Sequence, residues 1–230
     1  MPKGYFVTGT GTSVGKTRAS CALLHAFARC GKAVVGMKPV AAGVENGKWT
    51  DVELLMAASN VTAPRELTNP YPLVPPIAPH IAAQQAGLRI DIAAIRHAYS
   101  ELQKHADIVI VEGVGGFLVP LNERQDSGDM AQVLGLPVIL VVGMQLGCLN
   151  HALLTVQAVH AAGLTLAGWV ANCIDPGMQA FDDNVIALEQ RLQCRLLGVL
   201  PFERNMDYQQ MHSMLDIAAI GGAECDEGEA

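Results

Sequence analysis

The chain has 230 residues, half of them hydrophobic and 5% aromatic, enough to bury one substantial core and suited to one α/β domain. Its formal charge of −7, with no basic stripe, argues against a nucleic-acid partner, and no apolar run approaches the length of a membrane span. No signal peptide is read at the N-terminus, and the six cysteines and seven histidines show no disulfide or ligand spacing, so buried thiols and a cytoplasmic location are expected.

The first predicted strand, 5–8, runs into Gly9-Thr10-Gly11-Thr12-Ser13-Val14-Gly15-Lys16-Thr17, and a helix is predicted over 16–29. Strand, glycine-rich loop and helix in that order read as a phosphate cradle. Glycines let backbone N–H groups point inward, and the helix N-terminus adds partial positive charge. Lys16 is expected to reach terminal phosphates and the Thr17 hydroxyl to hold Mg²⁺. The strict motif wants glycine at position 10, where this chain has Thr10.

A strand over 33–37 ends at Lys38-Pro39-Val40. A lysine there either neutralises charge on a transferred phosphoryl group or is a solvated strand end. Asp51, just before a helix predicted over 52–59, reads as a cap or as a magnesium carboxylate. Residues 69–80 hold five prolines and cannot form a central strand or a helix interior, so a long ordered loop over the active edge is expected.

A helix over 92–105 precedes the strand 108–112, which ends in Glu112-Gly113-Val114-Gly115-Gly116. The carboxylate suits Mg²⁺, and the glycines allow a ligand close to the backbone. Strand 138–142 and helix 149–162 flank Gly147-Cys148-Leu149-Asn150-His151, which is either an anion-binding helix start or a plain one. Beyond strand 166–170, Asn172 offers its amide to a purine edge or to a turn. A helix over 179–193 and a strand over 196–199 complete the series, and 221–230 is expected to be a disordered acidic tail on a domain of 1–220.

The alternation predicts an α/β fold of the P-loop NTPase type. It is a single-domain, doubly wound, mostly parallel sheet flanked by helices, with ligands at the strand C-termini.

Five blocks carry a family resemblance: Gly9 to Thr12 with Val14 to Thr17, Lys38-Pro39-Val40, Val111 to Gly116, Leu146 to His151, and Gly168 to Asn172. In this order, over about residues 3–201, the chain resembles the dethiobiotin synthetase family. The resemblance implies a homodimeric ligase of biotin biosynthesis that needs ATP and Mg²⁺. Such enzymes close the ureido ring of 7,8-diaminononanoate (diaminopelargonate) with CO₂. They pass through a carbamate and a carbamic–phosphoric anhydride, and release ADP and phosphate.

Position by position, the resemblance implies catalytic roles for Lys16, Lys38 and Thr12. It implies nucleotide contacts from Gly11, Thr12, Ser13, Val14, Gly15, Lys16, Thr17, Glu112 and Asn172, and magnesium contacts from Thr17, Asp51 and Glu112. Substrate contacts would come from Thr12, Lys38 and Ala42 and, across the dimer interface, from Gly147, Cys148, Leu149 and Asn150. Gly11 and Ser13 stand where the best-known family loop has Asp and Glu, and Ala42 stands in place of a serine. The stretch 122–129 and the region after Pro201 match poorly. A switch ATPase of the ParA or MinD kind shares the expected fold, but it usually opens its loop with Lys-Gly-Gly, where this chain has Thr8-Gly9-Thr10. A cobyrinate synthase would need a glutaminase domain, for which too little chain remains after Pro201.

Overall fold

Alternate side chains of the first strand part to opposite faces of a sheet. Tyr5 and Val7 join one apolar cluster, and Phe6 joins another. Ile108 and Ile110 part from Val109 and Val111 in the same way, as do Ile139 and Val141 from Leu140 and Val142. Near-continuous apolar strands are what a parallel sheet covered on both faces requires.

The computed structural model describes residues 4–202 and 210–221. In chain order the elements are β1 (Gly4–Gly9), α1 (Lys16–Arg29), β2 (Val34–Met37), β3 (Val40–Ala42), α2 (Thr50–Ala58), α3 (Arg65–Thr68), β4 (Tyr71–Leu73) and α4 (Pro79–Gln85). They continue with α5 (Ile92–Leu102), β5 (Ile108–Glu112), α6 (Ser127–Leu134), β6 (Val138–Met144), α7 (Cys148–Ala161), β7 (Leu166–Cys173), α8 (Phe181–Leu192) and β8 (Leu196–Leu200). The main sheet runs β2-β5-β1-β6-β7-β8 with every neighbouring pair parallel. The chain builds β2 and β5 on one side of β1, then crosses to β6, β7 and β8 on the other. The crevice beyond the C-terminus of β1 is therefore a topological switch point, where this kind of sheet binds ligands.

Two packing contacts fix the elements that serve this crevice. On α1, Leu23, Leu24 and Phe27 are buried, and the Phe27 ring stacks on Tyr5 with centroids 5.8 Å apart. On β2, a Cβ at Gly36 would lie 2.9 Å from the Leu55 Cβ and 3.0 Å from Leu24 Cδ1. The missing side chain lets α2 lie directly on the strand, which brings Asp51, in the first turn of α2, to the end of β2.

The expected elements outside 69–80 appear, with ends shifted by up to three residues. The proline-rich segment is not a plain loop. Its Tyr71–Leu73 stretch forms β4, paired in parallel with β3 in a separate two-stranded sheet, and α4 begins at Pro79. Pro72 is tolerated because β4 has a neighbour on one side only, and Pro79 stands at a helix start, where its missing N–H costs nothing. Helix α6 was not expected. Asp126 caps it, accepting from the Gly128 and Asp129 backbone, while the Asp129 carboxylate accepts from the Asp126 N–H.

Cys21 and Cys148 are buried free thiols, and Cys173 and Cys194 are half-buried ones. Residues 222–230, nearly all of the expected tail, lie outside the described residues.

Candidate active site

Parallel register brings three strand ends to one place. Val7 of β1 pairs with Glu112 of β5, and Met37 of β2 pairs with Val111, so Lys38 follows β2 directly beside Glu112. Around them lies a cavity of about 270 Å³ lined by Thr12, Ser13, Gly15, Lys16, Thr17, Lys38, Ala42, Asp51, Glu112, Val114 and Gly115.

The phosphate loop takes its shape from left-handed residues, Ser13 at φ 59° and Gly15 at φ 90°, a pattern that turns N–H groups to a common side. Gly15 is required twice over. Its φ disfavours any side chain, and a Cβ there would lie 2.0 Å from Asn172 Nδ2. Asn172 packs behind the loop and donates to the Val14 carbonyl at 2.8 Å. Thr10, the departure from the strict motif, has its own partner, because its hydroxyl oxygen accepts from the Gly143 N–H at 3.3 Å.

Lys16 is 6% exposed and folds back to donate to the Gly11 carbonyl at 2.8 Å. Burial, with the Lys38 charge nearby, brings the Lys16 ammonium down to about 8. Lys38 is 4% exposed, and its backbone is clamped: its N–H donates to Thr68 O at 2.8 Å, and its carbonyl accepts from Asn69 Nδ2 at 2.7 Å. Its Nζ lies 2.5 Å from Glu112 Oε1, 3.0 Å from Asp51 Oδ2 and 3.2 Å from the Gly113 carbonyl. Burial works against this charge, but Glu112 and Asp51 outweigh it and hold the Lys38 pKa above the ordinary lysine value. Burial likewise opposes the Asp51 charge, and Lys38 reverses the balance, holding that carboxyl below its ordinary value.

The Thr17 hydroxyl donates to the same Glu112 Oε1 at 2.9 Å. Glu112 Oε2 is buried with no partner among the described residues, and so is Asn172 Oδ1. A hydroxyl and two carboxylates form a hard oxygen donor set, and the orphaned Oε2 leaves one acceptor unused, so these residues fit Mg²⁺. Among the described residues no group of three or more His, Cys, Asp or Glu is poised for a metal. A cation held here would therefore be completed by phosphate oxygens and water, as Mg²⁺ usually is. A larger cavity of about 400 Å³ lies elsewhere, lined by residues between His80 and Ile90 and by Leu121 to Glu123, and its ion pair, Arg89 with Glu123, is exposed.

Of the residues expected from the sequence, nine line the cavity, and Gly11 and Val14 hold it together through their carbonyls. Gly147, Cys148, Leu149 and Asn150 do not line it. They sit at the start of α7, next to Leu146, which is 97% exposed. Sequence reasoning missed Val114 and Gly115 as lining residues, although the glycine run after Glu112 carried that signal. It also missed Asn69, whose clamp on Lys38 left no local mark in the sequence.

A family model described as an AAA domain matches residues 3–210. The chain is 68% identical to the ATP-dependent dethiobiotin synthetase BioD of Nitrosospira multiformis, over 96% of this chain and 98% of that protein. It is 54% identical to the protein of the same name from Aromatoleum aromaticum, over 93% of this chain and 97% of that one. Among solved structures, the MinC:MinD cell division complex of Aquifex aeolicus superposes with a TM-score of 0.58 at 16% identity, covering 94% of this chain and 88% of that one. MinD of Pyrococcus horikoshii, complexed with Mg-ADP, gives a TM-score of 0.52 at 15% identity, with coverages of 94% and 88%. These two likenesses show the fold. No helix among the described residues is long and apolar enough to cross a membrane.

Proposed function

The chain belongs to the ATP-dependent dethiobiotin synthetases, and on that premise we propose that the cavity at the ends of β1, β2 and β5 is where it closes the ureido ring. The enzyme is an ATP-dependent ligase of biotin synthesis. The observation that carries the site assignment is that Lys16, Thr17, Lys38, Asp51 and Glu112, from four separate segments, line one cavity.

The reaction joins 7,8-diaminononanoate and CO₂. One amine adds to CO₂ to give a carbamate, losing a proton. A carbamate oxygen then attacks the γ-phosphorus of ATP and ADP leaves, which converts a poor leaving group into a good one. The second amine attacks the carbamate carbon, the C–O bond breaks, phosphate departs, and the amine proton goes to solvent. Each step places negative charge on oxygen, so the protein's part is charge neutralisation and positioning.

Lys16 exchanges the Gly11 carbonyl for terminal phosphate oxygens. Lys38 neutralises the carbamate and the transferred phosphoryl oxygens. Thr12, at the exposed lip of the loop, positions the carbamate, and Ala42 and Val114 flank the diamine. Thr17, Asp51 and Glu112 would hold Mg²⁺, which supplies charge neutralisation at the phosphates when bound. Asn172 keeps Nδ2 on Val14 and offers its unused Oδ1 to the adenine amino group.

The substrate carboxylate binds at the Gly147–Asn150 helix start of a second copy in a homodimer. The exposed Leu146 and the absence of this segment from its own chain's cavity lining support that arrangement. The acidic, stripe-free composition supports an enzyme with no nucleic-acid partner, and the free thiols of Cys21, Cys148, Cys173 and Cys194 support a reducing, cytoplasmic location.

Two variants test the site. Lys16→Gln should abolish turnover, and Lys38→Gln should keep most ATP binding while lowering kcat by about 10²–10³-fold. Near-normal dethiobiotin formation by either variant contradicts the assignment.

A further inference from the structure

We propose that the Lys38 ammonium is the resident counter-ion of the Thr17–Asp51–Glu112 cation site. It competes with a divalent cation for that site, so that metal binding and release of Lys38 toward the substrate side are one event. The inference rests on the reading of these three residues as cation ligands.

The geometry places the ammonium inside the ligand set. Its Nζ has three oxygens within reach, Glu112 Oε1 at 2.5 Å, Asp51 Oδ2 at 3.0 Å and the Gly113 carbonyl at 3.2 Å, one for each N–H it carries. The Thr17 hydroxyl meets the same Glu112 Oε1 at 2.9 Å, so one oxygen serves both the lysine and the threonine. Lys38 and Glu112 are 4% and 0% exposed at their side chains, so solvent does little to screen two cations sharing that carboxylate. Meanwhile Glu112 Oε2 stays buried without a partner among the described residues. With its three N–H groups committed, Lys38 leaves that demand unmet, and a metal ion is the better occupant.

The lysine is also built to move. Its backbone is held at both ends of the residue by Thr68 and Asn69, so only the side chain has to swing. The same cavity is lined by the small residues Thr12, Ala42 and Gly115, which leave room for it. Lys38 would thus reach the carbamate only once the cation site is filled, which couples the order of loading to the chemistry.

The test uses nucleotide-free protein with Mn²⁺ as the probe, free Mn²⁺ being read by electron paramagnetic resonance. Lys38→Met should bind Mn²⁺ at least ~10-fold tighter than wild type, and Lys38→Arg, which keeps the charge, should bind no tighter. Adding Asp51→Asn to Lys38→Met should remove the gain. Equal affinity of Lys38→Met and wild type, or a gain that survives Asp51→Asn, overturns the proposal. Should Lys38→Met fail to fold, wild type alone suffices: acetylation of Lys38, followed by mass spectrometry, should accelerate as Mn²⁺ saturates the protein, and an unchanged rate overturns the proposal. Neither readout uses the diamine, so intact ring closure with unaltered Mn²⁺ behaviour would reject this inference and leave the assigned reaction standing.

Discussion

Asn172, at the end of β7, donates from Nδ2 to the Val14 carbonyl at 2.8 Å and so braces the phosphate loop from the neighbouring side of the sheet. Its bulk fills the space a side chain at position 15 would need. Asn172→Ala should cost about 1–3 kcal/mol of stability, because it leaves a buried carbonyl unpaired. It should also weaken ATP binding, since the loop loses its brace and, on the proposed reading, the base its acceptor. Denaturant melts and ATP titration check both. Gly15→Ala should be worse for ATP, combining a strained φ with a clash against Asn172.

The close approach at Gly36 predicts a second effect, felt at a distance. Gly36→Ala should destabilise by about 1–3 kcal/mol, the usual cost of overpacking, by lifting α2 off β2. Since α2 carries Asp51, the variant's apparent affinity for Mg²⁺ in the assay should fall more than its affinity for the diamine. Equal changes in both would mean that α2 position does not govern the cation site.

Lys16 gives a pH dependence with a defined sign. In the folded protein its pKa falls from 10.5 to about 8, so between those values the unfolded chain holds a proton that the folded chain lacks. This group alone then makes the fold more stable as pH rises through that window. Bound phosphates favour the charged lysine, so above pH ~8 ATP binding should take up a proton. Calorimetry in two buffers of different ionisation enthalpy measures the uptake, and Lys16→Arg, charged throughout, should show none.

The exposed Leu146 predicts an assembly effect. Leu146→Asp should shift the protein toward monomers in sedimentation and raise KM for the diamine while leaving ATP binding intact. A dimer that persists with unchanged KM would remove the partner's α7 from the proposed site.

Much of the site was legible because its parts are contiguous. The loop from Gly9 to Thr17, the Lys38-Pro39 pair and the glycines after Glu112 each announce themselves by local chemistry. Parallel order then puts all three at one edge. What stayed hidden depended on register and tertiary packing. Only the placement of β5 between β1 and β2 sets Lys38 against Glu112, and nothing near Asn69 or Asn172 says which backbone carbonyl each will hold. Residues 69–80 were read as a loop because proline signals what it forbids better than what it permits. An edge strand and a helix start are both permitted.

The most direct test of the central claim is the stoichiometry of ADP release against dethiobiotin, followed by mass, with ATP, Mg²⁺ and bicarbonate in the presence and absence of 7,8-diaminononanoate. The account predicts that ADP release requires the diamine and that each ADP is matched by one dethiobiotin. ATP hydrolysis indifferent to the diamine, with no ring product, would contradict it.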